Sequence, residues 1–90
     1  MTERRRVRIE GRVQGVGFRW FTSEAAAACG LTGWVKNLPD GTVQAEAQGE
    51  VDQLDTWLDA VGRGPVFSSV SSVEFESIPV EAGESSFDIN

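Results

Sequence analysis

The chain has 90 residues, one cysteine, no histidine and a formal net charge of −6 from eight basic and 14 acidic residues. That length predicts one small domain over residues 1–90, near the lower end of what folds without staples; an internal disulfide is excluded, and the usual zinc and thiolate ligand sets are missing. The acidic balance argues against nucleic acid as a partner, and no apolar run is long enough for a signal peptide or a membrane span, so a cytoplasmic monomer with no membrane partner is expected.

Val7, Ile9, Gly11 and Val13 alternate with Arg8, Glu10, Arg12 and Gln14, the period-2 pattern of a first strand with one buried face. A glycine-rich turn follows, and from Phe18 to Cys29 the residues Phe21, Ala25 and Ala28 recur at helical spacing, with Gly30 as a stop. Two extended runs, Leu31 to Asn37 and Thr42 to Gln48, flank Leu38-Pro39-Asp40-Gly41, whose proline and glycine suit a tight turn between antiparallel strands. Glu50 to Val61 places Val51, Leu54, Trp57, Leu58 and Val61 on one stripe of a second helix that Gly62 closes. Val70 to Ile78 alternates again, and Phe87 and Ile89 suggest a short last strand. The order is βαββαβ with an optional terminal strand. Right-handed crossovers place both helices on one face of an antiparallel sheet, giving a ferredoxin-like α/β sandwich of the α+β class.

The chemistry concentrates in the run from Gly11 to Arg19. Gly15 and Gly17 permit left-handed backbone, so that several N–H groups can converge on one anion at the positive end of the following helix. Arg19 adds a planar, permanently charged fork suited to phosphate oxygens. Arg4, Arg5, Arg6, Arg8, Arg12 and Arg19 supply six of the eight basic residues. They form either a locally positive rim or, for Arg4 to Arg6, a frayed and solvated end. The carboxylates are scattered without calcium-loop spacing, so no metal and no cofactor is expected.

Two segments together carry a resemblance. Gly11, Val13, Gln14, Gly15, Val16, Phe18 and Arg19 are followed by Gly33, Trp34, Val35, Lys36 and Asn37, then Gly41, Val43 and Gly49. In order and spacing these match the acylphosphatase signature, and the likeness extends over nearly the whole chain. The resemblance implies a ferredoxin-like fold and hydrolysis of acyl phosphates to a carboxylate and inorganic phosphate, with no metal and no covalent phosphoenzyme. It also implies phosphoryl binding by the loop Gln14, Gly15, Val16, Gly17, Phe18 and Arg19, and a catalytic pair of Arg19 and Asn37. Asn37 would hold the attacking water by its amide, which cannot serve as a base. The chain offers no obvious general base, and acyl phosphates tolerate this. The leaving carboxylate needs no proton, and a loose transition state lets a substrate oxygen take the water's proton.

Each assignment has a bland rival. Arg19 could be a surface arginine and Asn37 a turn former. The Gln14 side chain could simply face solvent, with only its backbone used. Trp34 and Val35 read as strand packing, Lys36 as outward-facing, Cys29 as packing, and Phe18 and Phe21 as core or pocket wall, with Trp20 left open. The terminal Phe87-Asp88-Ile89-Asn90 lacks the basic residue that relatives often carry after the isoleucine, which leaves open whether this segment supports Arg19. From another class, a non-catalytic phosphate-sensing module of the same fold is the main alternative, and a carbamoyl-phosphate-handling domain of a larger maturation protein is a third. The pairing of Arg19 with Asn37 disfavours a pure sensor.

Overall fold

Seven elements follow one another along the chain in a computed structural model that describes residues 1–90. They are β1 Thr2–Arg12, α1 Phe18–Ala28, β2 Thr32–Asn37, β3 Val43–Glu50, α2 Val51–Arg63, β4 Ser69–Ile78 and β5 Phe87–Ile89. The sheet order is β4-β1-β3-β2-β5. The first four strands pair antiparallel, with Val7 opposite Ala45 and Phe75, while β5 lies parallel to β2, with Ile89 opposite Val35. This is the ferredoxin-like sandwich, and the terminal strand makes its sheet mixed rather than purely antiparallel. A parallel partner arises because β5 reaches the β2 edge after the 79–86 segment has crossed back over the sheet.

Period-2 alternation sorts β1 into two faces. Val7 and Ile9 point to the helices and join a cluster of 13 buried apolar residues that includes Val35, Ala45, Ala47, Leu54 and Trp57. The short alanines of central β3 let the helices lie close. Trp57 of α2 donates its indole N–H to the Thr22 main-chain oxygen at 3.2 Å, so the largest core side chain also ties α2 to α1. No helix is long and apolar enough to cross a membrane.

Two expectations are corrected here. Helix α2 runs through the exposed Gly62 to Arg63, and Gly64 caps it by donating to Ala60 O at 3.0 Å. A single exposed glycine costs a helix about 1 kcal/mol, which the neighbouring buried Val61 outweighs. The second correction concerns Arg4 to Arg6, which are not a frayed end, since β1 begins at Thr2. Arg4 is completely buried on the face away from the helices. It donates from Nε to Glu46 at 2.9 Å and from Nη1 to Glu84 at 2.8 Å. Burial opposes its charge, yet the hydrogen bonds to Glu84 and Glu46 outweigh that and raise its pKa. Gln48 meanwhile exchanges hydrogen bonds with the main chain of Glu81. Together these contacts strap the segment between β4 and β5 across the sheet and so deliver β5 to its edge. Arg5 faces the helices, bonded to Asp55 of α2 and 4.7 Å over the Phe75 ring.

Candidate active site

The C-terminal end of β1 runs into the turn that holds Gly15 and Gly17, both at φ 74°, a left-handed value that favours glycine. Gly17 is the N-cap of α1, which has no side-chain cap and no acidic residue in its first turn. The N–H groups of that turn have no partner inside the helix. The start of α2 is built differently, with Asp52 in its first turn and the Glu50 main-chain N–H donating to Gln53 Oε1 at 3.3 Å. One helix thus satisfies its own N-terminus, and the other leaves it open beside Arg19.

That opening is a cavity of about 240 Å³ lined by Val13, Gly15, Gly17, Phe18, Arg19, Trp20, Asn37 and Ile89. Arg19 and Asn37 come from α1 and from the end of β2, so the fold brings the two expected catalytic residues to one place. Asn37 Oδ1 is buried and has no hydrogen-bond partner within the protein. Its rival reading, a turn former, lacks the side-chain bond that such a role uses, and Asp40 fills that role instead. Asp40 Oδ1 accepts from the Thr42 hydroxyl at 2.6 Å and from its N–H at 3.0 Å, which holds the Asp40 carboxyl below the usual range, with Arg8 adding to the effect.

Of the remaining loop residues, Gly15, Gly17 and Phe18 line the cavity, while Val16 packs partly against the core. The Gln14 side chain does not face solvent. Its Nε2 donates to Leu38 O at 2.8 Å and to Thr42 O at 2.9 Å, bridging the glycine turn to the turn that follows Asn37. The C-terminal segment does reach the arginine, because Arg19 Nη1 donates to the Asn90 main-chain oxygen at 2.8 Å. No basic side chain is needed for that contact. Lys36 sits with its Nζ 5.2 Å from the centre of the Trp34 ring, on the face away from the core, and Cys29 is half-buried against the core. Sequence reasoning missed Ile89 as a lining residue, since a strand-forming isoleucine carries no local sign of which cavity it borders.

A family model described as Acylphosphatase matches residues 5–89. The chain belongs to the acylphosphatase family. It is 44% identical over 84 residues to the acylphosphatase of Syntrophotalea carbinolica, covering 93% of this chain and 91% of that one. To the acylphosphatase of Geobacillus thermodenitrificans it is 47% identical over 81 residues, covering 90% and 86%. The crystal structure of acylphosphatase from Bacillus subtilis superposes with a TM-score of 0.94 at 38% identity, covering 100% of this chain and 99% of that one. Full-length HypF in its phosphate- and nucleotide-bound form contains a similar region, with a TM-score of 0.88 and 25% identity, but the match covers only 12% of that chain. Within the acylphosphatase fold, the two signature segments are the ones that Gln14 joins and that the cavity separates.

Proposed function

We propose that the chain hydrolyses the carboxyl–phosphate bond of small acyl phosphates to a carboxylate and inorganic phosphate, with no metal and no phosphoenzyme. The N–H groups of the loop from Gln14 to Arg19 and the Arg19 guanidinium hold the phosphoryl oxygens and match the charge that spreads over them in the transition state. Asn37 holds the attacking water. The water oxygen bonds to phosphorus as the bond from phosphorus to the acyl oxygen breaks, and the electron pair leaves on the carboxylate. The water's proton passes to a phosphoryl oxygen. We place this chemistry in a cytoplasmic monomer.

The observation that carries the proposal is the pairing at the cavity of a fixed cation and an unpartnered buried amide oxygen, Arg19 and Asn37 Oδ1. A buried polar atom without a partner is costly, and a bound water satisfies it. A phosphate sensor has use for the arginine and none for the amide. Hydrolysis of benzoyl phosphate in oxygen-18 water tests the reading. Label recovered in the phosphate is expected, and label recovered in the benzoate would contradict attack at phosphorus.

A further inference from the structure

The cavity beside Arg19 divides by chemistry. Gly15, Gly17, Arg19 and Asn37 offer main-chain or polar groups, while Val13, Phe18, Trp20 and Ile89 offer apolar surface. Val13 and Phe18 belong to the buried core and form the floor. Trp20 is 64% exposed and Ile89 46% exposed, so their free surface lies at the mouth. Single exposed apolar residues are ordinary. Here two of them arrive from separate elements at the edge of one cavity, and both are fixed relative to the arginine. Trp20 follows Arg19 in α1, and Ile89 precedes Asn90, whose main-chain oxygen accepts from Arg19 Nη1.

We infer that Trp20 and Ile89 form an acyl subsite that favours acyl phosphates with an aromatic or bulky apolar acyl group over small or charged ones. The inference rests on the proposed hydrolysis and names the substrate class it acts on. A phosphoryl group held by the loop and Arg19 leaves the acyl group as the part of the substrate that reaches the mouth. An apolar acyl group that covers Trp20 and Ile89 removes apolar surface from water. A second anionic group on the acyl chain finds no matching cation, because Arg19 is the one charged residue in the lining and the phosphoryl group engages it.

The test compares kcat/KM for benzoyl phosphate and acetyl phosphate in the parent, in Trp20→Ala and in Trp20→Phe. The ratio of the two substrates in the variant, divided by that in the parent, cancels their different leaving-group reactivity. A pocket contact of this kind changes discrimination by about tenfold. Trp20→Ala is expected to reduce the benzoyl-to-acetyl ratio by about that factor, and Trp20→Phe to keep most of it. An unchanged ratio in Trp20→Ala would overturn the subsite. Binding of benzylphosphonate and methylphosphonate by calorimetry reads the same preference without turnover. A parent that prefers benzylphosphonate but hydrolyses neither acyl phosphate keeps the subsite and refutes the hydrolysis; one that hydrolyses both but binds the two phosphonates equally does the reverse.

Discussion

Arg19 Nη1 donates to the main-chain oxygen of Asn90 at 2.8 Å, and the Asn90 N–H in turn donates to Val35 O at 2.8 Å. The guanidinium is therefore held by the edge of the sheet through main-chain atoms. Asn90→Ala preserves both contacts and is expected to leave kcat/KM within about twofold of the parent. Asn90→Pro removes the N–H and frees the segment. Loss of a hydrogen bond to a charged group costs roughly 1.5 kcal/mol or more, so Asn90→Pro should lower kcat/KM by about tenfold. Steady-state kinetics on the two variants check this, and equal activity would show that the contact does not orient Arg19.

Gln14 is the second device that sets the geometry. Its two bonds to Leu38 O and Thr42 O cross between the halves of the site. Gln14→Ala leaves two partly buried carbonyls without that donor and should cost about 1–3 kcal/mol of stability. It should also lower kcat more than it weakens phosphate binding, because Asn37 and the loop lose their fixed separation. Gln14→Glu replaces the donor with a charge facing two carbonyl oxygens and is expected to be worse on both counts. Thermal unfolding, kcat and inhibition by phosphate provide the readouts.

Asn37 should separate activity from stability. Its Oδ1 makes no bond to the protein, so Asn37→Ala breaks no contact within the fold and is expected to leave stability within about 0.5 kcal/mol of the parent. The same change removes the partner of the water, and kcat should fall by about 100-fold or more with little change in phosphate affinity. A large loss of phosphate affinity at unchanged kcat would contradict the role.

The strap over the sheet predicts an acid-sensitive stability. Burial pushes the Glu84 carboxyl up, but hydrogen bonds from Arg4 and Thr32 and the Arg4 charge outweigh burial, so its folded pKa lies below the ordinary value. A carboxylate depressed in the folded state contributes stability that is complete above its unfolded pKa, about 4.3, and is lost as pH falls through the folded value. Stability should thus decline below about pH 5, and Glu84→Gln should flatten part of that decline while lowering stability at pH 7. Arg4→Ala would strand Glu84 and leave Glu46 with Arg6 alone, and should cost about 3–5 kcal/mol, whereas Arg4→Met keeps the packing of the stem and should cost less. Denaturant titrations across pH 3 to 7 measure both effects.

Local pattern made most of the fold legible. Val7 and Ile9 alternating with charged neighbours marked β1, and the stripe of Leu54, Trp57 and Val61 marked α2, because burial on one face leaves a period in the sequence. Gly15 and Gly17 were legible for the same local reason, since left-handed backbone favours glycine, whereas Arg19 and Asn37 stand out only through the two-segment resemblance. What escaped were pairings between distant residues. Arg4 meets Glu46 and Glu84, which lie 42 and 80 residues away, and three adjacent arginines look solvated until those carboxylates arrive. Gln14 and Arg19 both bond to main-chain oxygens, which carry no residue identity, so the contacts that orient the site left no trace in the sequence.

The proposed function stands on metal-free hydrolysis of an acyl phosphate by the glycine loop and Arg19. Phosphate release from benzoyl phosphate, measured in excess chelator for the parent and for Arg19→Gln, tests it most directly. Turnover in the parent is expected to survive chelator and to be absent from the variant, which remains folded. Turnover in Arg19→Gln near the parent rate, or turnover in the parent that chelator abolishes, would contradict it.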